Sequence, residues 1–366
     1  MRRIASLALA AALLGGGAQA QTSIKIGVLT DLSGPYADLS GTGSAVGARL
    51  AAEEFMAANK GFTVEIVSAD HQNKPDIGSS IARQWMDREN VDVIVDVANS
   101  GVALAVSQIA KEKDKVLLAT GTASSDLTGK ACSSNTVHWT YDTYALSHGT
   151  GRSLVKAGGQ SWFFLTADYA FGHALQRDTN AVGIAQGGQV VGKVRHPLNS
   201  SDFSSFLLQA QQSKAKVIGL ANAGADTVNA IKQASEFGLA DGGTRLASLL
   251  FFITDVHSLG LKTAKGLVLT EAYYWDLNDG TRQFAKRFAE KMPGRVPSMI
   301  HAGAYSGTLH YLNAVAAAKT KAGGTVVAQM KKTPTDDIAF GKGRVREDGR
   351  KMHDMYLFEV KRPEES

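Results

Sequence analysis

The chain has 366 residues, 44% of them hydrophobic and 20% charged, a balance that supplies sizeable cores and excludes a disordered chain. The formal net charge of +5 comes from scattered basic residues rather than a basic patch, so nucleic acid is not expected as a partner. The only cysteine, Cys132, cannot form an intramolecular disulfide and is expected to be a small buried or half-buried packing residue.

The chain opens with Arg2-Arg3, an apolar run from Ile4 to Leu14, and Ala18-Gln19-Ala20. This is the pattern of a secretory signal peptide cleaved before Gln21, residues 1–20 being removed. The apolar run is too short to span a bilayer, and the mature chain is expected to be soluble.

Strand and helix signals then alternate. Ile24–Leu29, Thr63–Ala69, Val91–Val97 and Lys115–Thr120 are near-continuous apolar runs, as in a parallel sheet covered on both faces. Helical patterns fill the gaps at Ser44–Ala58, Ile77–Arg88 and Gly101–Lys113. The βαβα order predicts a doubly wound α/β lobe. The alternation restarts with strands at Ser161–Ala167, Gln189–Val194, Lys216–Ala221, Arg245–Phe251 and Gly266–Tyr274, and helices at Gly172–Ala185, Asp202–Gln212 and Thr227–Phe237. A second lobe of the same class is implied, consistent with a length beyond what one core organises. Helices at Thr281–Lys291 and Pro297–Lys319 and a strand at Met352–Lys361 follow, so the chain crosses between lobes more than once.

Four segments carry a specific resemblance: Ile24 to Tyr36 (IKIGVLTDLSGPY), Ser100 to Val106 (SGVALAV), Ala123 to Thr128 (ASSDLT) and Thr166 to Gly172 (TADYAFG). In this order, behind a signal peptide, they resemble the leucine/isoleucine/valine-binding family of type I periplasmic binding proteins over essentially the whole mature chain. The resemblance implies two Rossmann-like lobes joined by three crossovers, residues 21–142 with 277–337 and 143–276 with 338–366. It also implies a non-enzymatic receptor in the periplasm that closes on a small carboxylate-bearing ligand and serves an inner-membrane ABC permease. The protein is expected to be a monomer with no cofactor and no metal.

Open α/β sheets bind ligands beyond the carboxyl ends of their strands. Asn99, Ser100 and Gly101 sit there, where a helix N-terminus suits a carboxylate; Asn99 and Ser100 equally suit a cap. Gly121, Thr122 and Ala123 follow the next strand, Thr122 offering a hydroxyl donor. Tyr36 belongs to the first motif. Across the cleft, Tyr169 and Phe171 offer aromatic walls, and Asn222, Asp226, Thr254 and Asp255 occupy strand-end loops. The leucine-binding relatives pair the ligand ammonium with a glutamate, and Thr254 falls at its position with Asp255 adjacent. Either Asp255 substitutes, or the ligand is an aromatic or branched aliphatic acid without an amine, because a buried unpaired ammonium is costly.

Rival readings meet the same residues. Gly41-Thr-Gly43-Ser-Ala-Val-Gly47 with Asp70 suggests a dinucleotide-dependent oxidoreductase, but the spacing is GxGxxxG and the Ser33-Gly34-Pro35 turn intervenes. GxSxG, HExxH and cysteine-pair signatures are missing. An exported sensory module sharing the fold is the other alternative.

Overall fold

The computed structural model describes residues 21–239 and 243–366; the signal-peptide reading of residues 1–20 lies outside them. The first half runs β1 (Thr22–Thr30), α1 (Gly41–Ala58), β2 (Phe62–Asp70), α2 (Pro75–Arg88), β3 (Val93–Asp96), α3 (Ser100–Glu112), β4 (Val116–Ala119) and β5 (Thr136–His138). After short helices α4 (Thr143–Leu146) and α5 (Arg152–Lys156) come β6 (Ser161–Ala167), α6 (Ala170–Ala185), β7 (Gln189–His196), α7 (Ser204–Gln212), β8 (Val217–Ala221), α8 (Ala225–Glu236) and β9 (Arg245–Ser248). The remainder is α9 (Ile253–Leu259), α10 (Leu261–Ala264), β10 (Val268–Glu271), α11 (Asp279–Lys291), α12 (Met299–Ala318), α13 (Gly323–Lys332), β11 (Thr335–Asp337), β12 (Gly341–Val345), β13 (Lys351–Met352) and β14 (Tyr356–Glu359).

Two parallel sheets define the lobes, ordered β2-β1-β3-β4-β5 and β7-β6-β8-β9. In the first, the inner strands β3 and β4 are buried on both faces, which is why they read as unbroken apolar runs. One face packs α1, α12 and α13 over Val28, Val95 and Leu118; the other packs α2 and α3 over Leu29, Ile94 and Leu117. The second lobe buries Leu165, Ile218 and Leu220 under α7, α8 and α9. This is the type I periplasmic binding protein architecture that the alternation and the resemblance point to.

The chain passes between lobes at 139–142, 272–278 and 353–355, since β14 pairs with β10 beside the second sheet. The assignment of residues 338–352 to the second lobe is corrected. Val345 joins the core of the first sheet and Arg350 bridges to His138, because β12 pairs with β11 and β13 and keeps this segment on the first lobe. Arg350 then binds the first crossover: Nε donates to Asp142 Oδ2 at 2.8 Å, and Nη1 to the carbonyls of His138 and Trp139 at 3.2 and 2.6 Å. Cys132 is exposed rather than buried.

Candidate ligand cleft

The carboxyl ends of both sheets face each other. Pro35, in the loop after β1, accepts from the Ala225 N–H across the cleft at 3.1 Å, and the Tyr36 and Tyr169 hydroxyls bond at 2.5 Å. Behind these contacts lies a small cavity with room for about one water molecule. Tyr36, Leu39, Ala98, Gly121 and Ala123 line it from the first lobe, Tyr141 from the first crossover, and Tyr169, Phe171, Ala223 and Leu250 from the second lobe. No aspartate, glutamate, lysine or arginine is in that lining. Burial, the leading cause for each, raises the phenols of Tyr36, Tyr141 and Tyr169 above their ordinary value, so all three are neutral hydroxyls.

Of the residues singled out from the sequence, Tyr36, Gly121, Ala123, Tyr169 and Phe171 meet at this cavity. The others do not line it. Asn99 is the N-cap of α3, its Oδ1 accepting from Gly101 and Val102 N–H at 2.9 and 3.1 Å. Ser100 Oγ accepts from the Ser124 N–H at 3.2 Å, which leaves Gly101 as a half-buried residue of the same helical turn. Thr122 Oγ1 donates to the Val97 carbonyl at 2.6 Å. The Thr122 hydroxyl is thus bonded to a backbone carbonyl, whereas Ser100 Oγ accepts and keeps its own O–H; neither residue is in the cavity lining.

What Thr122 supports is a strained turn. Asp96 and Val97 both have positive φ, 84° and 56°, rare for any non-glycine residue and an outlier for a β-branched one. The Thr122 hydroxyl and the Gly121 N–H, which donates to the Asp96 carbonyl at 3.1 Å, hold that turn from the neighbouring loop. It delivers Ala98 to the cavity. Sequence reasoning missed Leu39, Ala98, Ala223 and Leu250, whose small or apolar side chains carry no chemical signature, and Tyr141, whose hydroxyl donates to the Gly121 carbonyl at 2.8 Å. Among the described residues, the N–H groups of Ala98, Ser100, Thr122 and Ala123 have no protein acceptor, so donors remain at these strand ends without any hydroxyl.

The second-lobe polar residues are also committed. Asn222 bonds His196 Nε2 and accepts from the Thr227 hydroxyl. Asp226 accepts from the N–H groups of Asn199 and Ser200 at 3.1 and 2.9 Å, fixing the loop after β7, and burial raises its carboxyl to about 7. Thr254 and Asp255 lie on α9 rather than in a loop, because Asp255 Oδ2 accepts the Phe252 N–H at 3.0 Å and starts the helix. Neither Asp226 nor Asp255 is in the cavity lining, although Asp226 is near enough to the Tyr36 and Tyr169 phenols to raise them further. Among the described residues no cluster of histidine, cysteine or acidic side chains could hold a metal.

A family model for periplasmic binding proteins matches residues 23–365. A periplasmic binding protein from Burkholderia mallei is 52% identical, with a TM-score of 0.91 over 94% of this chain and 91% of that one. A branched chain amino acid ABC transporter periplasmic ligand-binding protein from Burkholderia xenovorans LB400 is 39% identical, with a TM-score of 0.81 over 94% and 91% of the two chains. At the level of fold, a solute binding protein of an ABC transporter from R. palustris, solved in complex with benzoate, is 21% identical with a TM-score of 0.83 over 93% of each chain. The facing strand ends, the aromatic cavity between them and these matches agree: the chain belongs to the periplasmic binding protein family, the non-enzymatic solute-binding subunits of ABC transporters.

Proposed function

We propose that the cavity captures a small carboxylic acid without an amine, an aromatic or branched aliphatic acid, by closure of the lobes, and that the closed form delivers it to an inner-membrane permease. The carrying observation is the lining: four aromatic rings and small apolar residues, with Asp226 and Asp255 both spent on backbone N–H groups. An α-ammonium there would be buried without a charged partner. A carboxylate would meet the N–H groups of the lining residues Ala98 and Ala123, beside the N-terminus of α3. In this arrangement of the lobes the cavity has room for only about one water molecule, so a ring or a short branched chain would enter only as the lobes part. The benzoate complex of the R. palustris relative supports this reading.

The relative from Burkholderia xenovorans, named for branched-chain amino acids, favours a second reading in which leucine, isoleucine or valine is the ligand. Under either reading the protein is exported through residues 1–20 and works as a periplasmic monomer. A thermal-shift panel separates them. Benzoate at about 100 times its dissociation constant should stabilise the protein by about 2.7 kcal/mol, raising the melting temperature by several degrees, while benzamide and leucine leave it unchanged. Stabilisation by leucine and not by benzoate overturns the proposal.

A further inference from the structure

The Asp96 carboxyl lies directly behind the cavity wall. Gly121 lines the cavity, and a Cβ on it would collide with Asp96 Oδ1, so a single glycine separates the carboxyl from the ligand space. Both Asp96 oxygens are fully buried; the hydroxyls of Thr30, Ser40 and Ser44 surround them, but none makes a well-formed hydrogen bond to either. The left-handed turn at Asp96 and Val97, pinned by Gly121 and Thr122, is what holds the carboxyl there.

We propose that capture of an anionic ligand in this cavity is coupled to the uptake of one proton by Asp96. This rests on the acid reading of the site. An anion in the cavity, with only Gly121 between it and Asp96, disfavours the ionised form of that carboxyl in a water-poor interior. The groups facing Asp96 supply no cation: Thr30 and Asp31 at the end of β1, Ser40 and Ser44 at the start of α1, and Tyr141 from the first crossover. His301 of α12, bonded to the Ser40 carbonyl, is neutral, because burial lowers its ring to about 4. A proton is the remaining compensation. The donor hydroxyls favour the charged form, yet burial outweighs them and already raises the Asp96 carboxyl to about 6 in the ligand-free protein.

The direction of the coupling follows. Below that value Asp96 is protonated with or without ligand, and affinity does not change with pH. Above it the free protein loses the proton while the liganded protein retains it, so affinity weakens as pH rises, by at most about tenfold per pH unit. Affinity levels off once the liganded form deprotonates as well.

The test is titration calorimetry of the whole mature protein with benzoate, between about pH 6 and about pH 8, in pairs of buffers with different ionisation enthalpies. Expected are a dissociation constant that rises across this range, a buffer-dependent heat reporting proton uptake, and loss of both in Asp96→Asn. A pH-independent dissociation constant with no buffer-dependent heat in the unaltered protein overturns the coupling, and this measurement stands even if the variant does not fold. Persistence of both effects in Asp96→Asn overturns it as well. Absence of benzoate binding at every pH, with leucine bound, overturns the acid reading and the coupling that rests on it.

Discussion

The hydroxyls of Ser100 and Thr122 bond backbone groups of neighbouring loops, and neither residue is in the cavity lining. Thr122→Val preserves shape but strips the Val97 carbonyl of its donor within a strained turn. The expected cost is about 1–3 kcal/mol of stability in ligand-free denaturant unfolding, the penalty for an unsatisfied buried polar group. Affinity should fall as a secondary effect, because Ala98 shifts. Ser100→Ala removes only the acceptor of the Ser124 N–H and should cost about 1 kcal/mol with little change in affinity. A large affinity loss with unchanged stability in either variant would return these hydroxyls to the ligand. Tyr36 and Tyr169 differ in kind, because their bonded hydroxyls belong to opposite lobes and line the cavity itself.

Among the elements, the segment from β11 to β13 is the one whose role only the structure exposes. Its strands have three, five and two residues, too short for a periodic signal, and four of these ten positions are exposed. β5, also three residues, was hidden for the same reason. By contrast, the long apolar strands and helices were legible because burial on both faces leaves a composition that few other structures produce. The cleft was legible as a place, through strand-end loops and the Tyr36, Tyr169 and Phe171 rings. The donor assignment was not, since the Thr122 bond depends on a left-handed turn 25 residues away that no local pattern encodes. The hidden segment also carries Arg350, whose pair with Asp142 is buried, with side-chain exposures of 5% and 8%. Removing one partner of such a pair leaves a buried charge, and Arg350→Met should cost about 3–5 kcal/mol in unfolding. Asp142, held below the ordinary carboxylate range by Arg350 against the opposing effect of burial, contributes stability that is fully present above its unfolded value and lost as pH falls through its lower folded value. Arg350→Met should remove that part of the acid sensitivity, which a series of melting temperatures against pH would show.

For the whole molecule the proposed event is closure, and the contact between the lobes centres on Gly224. This residue ends the loop after β8 with φ of 59°, and a Cβ on it would run into the Pro35 carbonyl of the opposite lobe. The same carbonyl accepts the Ala225 N–H that joins the lobes. Two penalties follow for Gly224→Ala. The backbone conformation, φ 59° with ψ −136°, is one that essentially only glycine adopts and costs an L-residue about 1–3 kcal/mol whether the lobes are apart or together. The clash exists only when they meet, so it acts on the closed state alone and shifts the population toward the open one. The ligand-free variant should melt within a few degrees of the unaltered protein, while its affinity falls at least tenfold, since apparent affinity drops with the fraction of molecules able to close. Small-angle scattering at saturating ligand should show the unaltered protein compacting and Gly224→Ala remaining extended. Equal compaction in both would mean that the Pro35 contact yields on closing and that Gly224 serves only its own turn.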